Sequence, residues 1–297
     1  MTRRLTAFLL SALLLLPGLA PQAQEAAWHI DADWAQVPGG DWDGSTSWVA
    51  TDGKGQVVVM VRSAPYFRVF TRDGRFVRSW GTAPEFRNAH SIVFAADGSL
   101  WATDAGSHVV YKFSAEGELL QTLGTAGTAG DNSSTTLFNQ PNHVALDASG
   151  DLYVSDGYGN ARIVQLHADG SFVRIIGGEQ GAGPGQLQLP HGVGLDARGR
   201  ILVNDSDNQR IAVFAADGTF EASWPFPSRG GLVVGADDLV YVSDVNAGAV
   251  NILRGGLLQE SIAVGVRPHG LAVDSDGAIY VADAMARKVL KLTRQAP

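Results

Sequence analysis

Three histidines of this chain recur at the same place in a repeated segment. His90, His191 and His269 open HSIVFAADGSLWATD (90–104), HGVGLDARGRILVND (191–205) and HGLAVDSDGAIYVAD (269–283). Related segments occupy 47–62, 142–156 and 231–244, and there the opening position holds Ser47, Asn142 and Gly231. The histidines thus fall in the second, fourth and sixth copies. If the copies surround an axis, three imidazoles reach it from alternate directions. Three His ligands without a fourth protein ligand are the donor set of a catalytic zinc, which keeps one position for water or substrate. The competing reading is that polar residues recur at such a mouth by drift of the repeat. His143 serves as a control. It stands one residue past the in-register position, and a one-residue offset in a strand turns a side chain to the opposite face; it is left outside the metal set.

A second position also differs between copies. Asp104, Asp156, Asp205, Asp244 and Asp283 close the segment in five copies, and Arg62 closes it in the first. An Asp before a turn accepts hydrogen bonds from loop N–H groups, so these five are assigned to structure. The two runs of each segment form a hairpin, which puts Arg62 at the same mouth as the histidines. Arg62 is either the ion-pair partner of a neighbouring copy or a guanidinium that grips a substrate carboxylate in bidentate fashion. Tyr158 follows Asp156 by two residues. Loop tyrosines commonly only pack, but beside a zinc ion and an arginine a phenol ionises below its ordinary value of about 10 and can act as a base. Arg267, two residues before His269, is either a second anion contact or a solvated charge.

The elements that must position these residues are short strands. NHVALDASGDLYVSD and the following ARIVQLHADGSFVRIIGG contain four apolar runs punctuated by Gly, Asp and Asn, the pattern of strands and tight turns. Alternation has period two, and no stretch of 24–297 keeps a helical period for three turns. The closing aspartates recur at intervals of 52, 49, 39 and 39 residues, the period of a propeller or solenoid. Six copies of four antiparallel strands predict an all-β, six-bladed β-propeller. The last copy stops after its third strand, KVLKL, so the segment around Trp28 to Val37 is expected to supply the fourth. Pairing the two chain ends would close the ring and remove its exposed edges. The Gly-rich stretches 124–141 and 177–190 read as connections between blades at one mouth, where specificity resides.

Composition bounds the partners. Residues 1–23 combine Arg3 and Arg4, the apolar run from Leu5 to Leu16, and small residues at Gly18, Ala20 and Ala23; they read as a secretory signal, with the propeller domain over 24–297. The chain is therefore expected to be exported, to the periplasm or the exterior, and with no Cys it needs no disulfide there. A net charge of −8 without a Lys/Arg cluster argues against nucleic acid and anionic membranes as partners. No further run is long enough to span a bilayer, and a monomer is expected.

The stretches FNQPNHVALDASGDLYVSDGYGNARIVQL, GQLQLPHGVGLD and RPHGLAVDSDGAIYVADA resemble NHL-repeat propellers and, among them, peptidyl-α-hydroxyglycine α-amidating lyase (peptidylamidoglycolate lyase). The resemblance covers nearly all of 24–297. It implies an NHL-type propeller with Zn2+ on His90, His191 and His269, Tyr158 as the base, and Arg62 as the active-site arginine. The implied substrate is a small molecule or peptide with a free carboxylate, an N-acyl-α-hydroxyglycine whose C–N bond breaks to give a primary amide and glyoxylate. Two departures stand out. Arg267 occupies the place of a Met in the animal lyases, which makes the pocket more polar. Gly270 occupies the place of the Asp that holds their structural calcium, which argues against Ca2+ here. Two other readings compete: a non-catalytic NHL propeller that serves as an extracytoplasmic platform for protein or glycan, and a lactonase-like metal hydrolase. The last needs carboxylate and Asn ligands at the mouth, and Asn142 is its only in-register candidate.

Overall fold

The computed structural model describes residues 28–295; the leader-like segment 1–23 lies outside the described residues. Six four-stranded antiparallel sheets surround a central channel. Blade 1 comprises Thr46–Thr51, Gln56–Val61, Phe67–Thr71 and Phe76–Trp80. Blade 2 follows with Ala89–Phe94, Leu100–Asp104, Val109–Phe113 and Leu119–Leu123. Blade 3 is His143–Leu146, Leu152–Asp156, Arg162–Leu166 and Phe172–Gly177. Blade 4 is Pro190–Leu195, Ile201–Asp205, Arg210–Phe214 and Phe220–Pro225. Blade 5 is Leu232–Val234, Val240–Asp244, Ala249–Arg254 and Leu257–Ala263. Blade 6 takes Pro268–Val273, Ile279–Asp283 and Lys288–Arg294 from the C-terminal end of the chain, and its outer strand is Trp28–Asp31.

That last pairing closes the ring, with Trp28 opposite Arg294 and Asp31 opposite Lys291. Only the first part of the expected segment is strand. Beyond it, Trp34 turns inward between blades 6 and 1, against Tyr280 and Phe70 at ring distances of 5.1 and 5.5 Å. Its indole N–H donates to the Arg72 carbonyl. Among the described residues helix is confined to two three-residue 3-10 turns, Pro38–Gly40 and Ser206–Asn208, and no helix there is long and apolar enough to cross a membrane.

The repeat explains the blades residue by residue. In the first hairpin of blade 3, Asp147 Oδ1 accepts from the N–H groups of Ser149 and Asp151. Gly150 adopts φ 89° there, a conformation that a side chain makes costly. Asp196 and Asp274 repeat the arrangement in blades 4 and 6. Each blade face then buries its alternate side chains against the next blade, in six apolar clusters that join neighbouring blades around the ring. A lone blade would leave both faces wet; the closed ring buries them all.

Candidate metal centre and its surroundings

Because every blade starts at the channel and hairpins back to the same mouth, the opening residues of the inner strands ring the axis. Three of them converge there. His90, His191 and His269 are buried and offer ligand nitrogens that all lie within 4.8 Å of one another. Each ring is oriented by the neighbouring blade in the same way. Nδ1 of His90 lies 2.7 Å from the Asn142 carbonyl, that of His191 3.0 Å from the Gly230 carbonyl, and that of His269 3.0 Å from the Ser47 carbonyl. A carbonyl can only accept, so Nδ1 carries the proton and the lone pair resides on Nε2. Burial keeps these rings neutral. It is the first cause that holds His90 and His191 well below the ordinary imidazole value, with His269 and His191 adding to it for His90, and His269 and His143 for His191. It lowers His269 to about 4. Three neutral, pre-oriented imidazoles without a carboxylate form a donor set that suits zinc, and their partner carbonyls are the supports such ligands need.

Tyr158 reaches this point from the loop after the second strand of blade 3. Its hydroxyl is 2.9 Å from His90 Nε2 and 3.2 Å from His191 Nε2; its single proton serves one of them at a time. Burial holds the phenol above its ordinary range, and Arg62, then Arg229, pull it down. Here desolvation outweighs the two guanidinium groups; the sequence expectation of an acidified phenol includes the charge of an ion at the imidazoles, which would add to theirs. Arg62 is exposed at the mouth, yet surrounding protein still lowers its pKa through desolvation, opposed by Tyr158. Its charge is felt by both His90 and His269.

Arg267 has its backbone N–H turned to Asp283 Oδ2 at 3.4 Å, and its side chain is exposed. A guanidinium that acts on both Tyr158 and His191 belongs to Arg229, which pairs with Asp207 at 3.2 Å and precedes the glycine whose carbonyl orients His191. Sequence reasoning passed over Arg229 because PFPSRGG reads as an ordinary loop. The aspartates that close the second strands do what was expected of them: Asp104 accepts from the N–H groups of Arg87 and Asn88, Asp156 from Asn139, and Asp205 from Gln188.

Trp48 closes the channel beneath the imidazoles. Only 1% exposed, its indole lies with ring centres 6.0, 6.5 and 5.6 Å from His90, His191 and His269. His143 lies outside the converging set; its ring is 4.7 Å from the indole and its Nδ1 accepts the Val193 N–H. A Cβ on Gly231 or Gly270 would come within 2.8 or 2.6 Å of the indole, so those two glycines make room for it. The carboxylate that a calcium would need at position 270 has no space there. Below Trp48 the channel continues as an apolar cavity of about 220 Å3, lined by residues such as Val49, Ile92, Val144, Leu232 and Val273.

Comparison with known proteins places this geometry. The NHL repeat model matches residues 138–166, 187–214 and 266–287, which fall in blades 3, 4 and 6. NHL repeat-containing protein 3 of Homo sapiens is 33% identical over 91% of this chain and 85% of its own length. A Caenorhabditis elegans protein that bears the name probable peptidyl-alpha-hydroxyglycine alpha-amidating lyase is 27% identical over 75% of this chain and 69% of its own. Among solved structures, virginiamycin B lyase from Staphylococcus aureus superposes with a TM-score of 0.64 at 14% identity, over 91% of this chain and all of that one, a likeness of fold. With blade count, repeat and sequence in agreement, the chain belongs to the NHL-repeat β-propeller family, which includes NHL repeat-containing protein 3 and homologues named as peptidyl-α-hydroxyglycine α-amidating lyases.

Proposed function

We propose that the protein is a zinc-dependent lyase that cleaves the C–N bond of an N-acyl-α-hydroxyglycine, peptidyl or smaller, to a primary amide and glyoxylate. One observation carries the reading: three buried neutral imidazoles and the Tyr158 hydroxyl face a common point, with Arg62 alongside. The names of the homologous lyases add to it. A zinc ion held by Nε2 of His90, His191 and His269 would supply Lewis-acid polarisation of a substrate oxygen. Arg62 and Arg229, whose charges both act on the Tyr158 phenol, hold the carboxylate and keep the substrate's acyl arm toward the mouth. Tyr158, once ionised, takes the α-hydroxyl proton. The carbon–oxygen bond becomes a carbonyl as the C–N pair moves onto nitrogen, which receives the proton back from Tyr158. Trp48 excludes water from below. The leader-like segment 1–23 suits an exported enzyme.

The decisive assay follows glyoxylate release from an N-acyl-α-hydroxyglycine, with and without a chelator. Release that a chelator abolishes and zinc restores is expected, with one zinc per chain by elemental analysis. Folded, zinc-supplemented protein that releases none would reject the lyase for that substrate. Protein that also holds no metal would favour the binding-platform reading.

Arg229→Ala provides a second test. The residue is half-exposed and shares its charge with Asp207, so its contribution to anion binding is modest and screened by salt. KM should rise about three- to tenfold with kcat little changed, and less so at high ionic strength. Unchanged KM at low salt would place Arg229 outside the substrate's reach.

A further inference from the structure

Asn142 occupies in blade 3 the position that the three histidines hold in alternate blades, and the mechanism above gives its side chain no task. It is fully buried. Its N–H donates to the Ser155 carbonyl at 2.7 Å, and its own carbonyl accepts from His90 Nδ1 and Thr103 Oγ1. In the side chain, Oδ1 accepts the Gly157 N–H at 2.9 Å. That bond fixes the orientation of the amide, since the reversed group would set an NH2 against an N–H. Nδ2 is then left without solvent and without a hydrogen-bond partner. Buried donors in folded proteins almost always find an acceptor, and one that lacks it asks for an explanation. The Asn142 amide faces the Tyr158 phenol and favours its ionised form, although Nδ2 meets no acceptor at hydrogen-bonding geometry.

We propose that Asn142 is a substrate-contacting residue whose Nδ2–H donates to the α-hydroxyl oxygen of the ligand. The inference rests on the lyase reading and names a further group that selects the hydroxylated substrate. A hydroxyl whose proton passes to Tyr158 must place its oxygen within about 3 Å of the phenol, next to the unpartnered amide. When the O–H bond breaks and the carbonyl forms, negative charge passes through that oxygen. A fixed donor with no competing partner stabilises this charge without reorganisation. A ligand without the α-hydroxyl leaves Nδ2 as it is now, buried and unpaired, and such sites reject the analogue strongly.

Calorimetric titration of the zinc-loaded full chain with mandelate and with phenylacetate tests this. Both carry a carboxylate and neither has a C–N bond to break, but only mandelate has the α-hydroxyl. The wild-type protein should prefer mandelate. Asn142→Ala and Asn142→Asp should each reduce that preference about tenfold; the aspartate retains an acceptor for the Gly157 N–H, which keeps the loop in place. Each variant's thermal unfolding confirms that it is folded. An unchanged preference in either folded variant overturns the proposal. Wild-type protein that binds neither acid and releases no glyoxylate overturns the lyase reading itself, a different result from intact binding with an unchanged ratio.

Discussion

His191→Ala should leave a folded propeller that no longer retains zinc and releases glyoxylate about a thousandfold more slowly or worse. A Lewis acid contributes several kcal/mol of transition-state stabilisation, and each 1.36 kcal/mol is a factor of ten in rate. Two imidazoles cannot hold the ion as three do, and Tyr158 loses one of the two nitrogens beside its hydroxyl. His143→Ala is the matched control. That ring is equally buried and nearer to Trp48 than any of the trio, so it shares the packing role without belonging to the converging set. Its loss should leave metal content intact. If His191→Ala keeps one tightly held zinc, or His143→Ala loses it, the assignment of ligands is wrong.

The same burial predicts an unusual pH dependence. Exposed histidine ligands give up a metal as pH falls through about 6.5. Here desolvation holds His90 and His191 well below that value and His269 at about 4. The neutral, ligating form persists to lower pH, so zinc affinity should stay nearly flat from pH 7 to 5 and collapse near pH 4. The sign for folding follows from the same depression. Between about 6.5 and the folded-state values, the unfolded chain binds protons that the folded chain refuses, and metal-free protein loses stability as pH falls through that window. Chelator competition and thermal unfolding across pH 4 to 7 measure both.

Most of the scaffold was legible because the repeat states it several times over. Asp–x–x–Gly turns mark the hairpin in four of the six copies, and the hairpins fix which residues share a mouth; the three histidines and Arg62 then follow from register alone. Closure by Trp28–Asp31 was legible from a missing fourth strand. What stayed hidden depends on distances across the axis. Trp48 reads as one more apolar strand residue, and only the ring shows that its indole spans the channel. Its sequence signature was Gly231, which stands at the in-register position where every other copy carries a larger side chain, with Gly270 beside His269. Asn142 was visible at its position, but its orphan Nδ2 depends on the N–H of Gly157, a contact no periodicity encodes. Arg162 and Arg210 open the third strands of the two copies preceded by long Gly-rich loops, and that coincidence was the available clue to their role.

That role leads to the largest expected effect on stability. Arg162 has no solvent exposure in its side chain, and its Nε donates to Asp156 Oδ2 at 3.0 Å. Nη1 donates to the carbonyls of Asn132 and Ser134, and Nη2 to that of Leu137. One guanidinium thus ties the 124–141 loop to blade 3, as Arg210 ties the 177–190 loop to blade 4 through Asp205 and the carbonyls of Ala182, Gly183 and Gln186. Arg162→Ala would bury Asp156 without its cation and leave three loop carbonyls short of a donor. Breaking such a pair by removing one partner costs about 3–5 kcal/mol, which lowers the melting temperature of a domain this size by roughly 10 °C. Burial already favours the protonated form of Asp156, against the pull of Asn160 and Arg162; without the arginine the carboxyl should take up a proton nearer neutrality. The double variant Arg162→Ala/Asp156→Asn should therefore lose less than the sum of the single changes. Arg287→Ala, which breaks the exposed pair with Asp41, should shift stability by less than about 0.5 kcal/mol. Because the clamped loop leads directly into Asn142, Arg162→Ala should also weaken substrate binding while zinc content stays at one per chain. Equal melting temperatures for the wild-type protein and Arg162→Ala would mean that the loop is held by its own turns, and that the buried arginine is not what fixes the mouth.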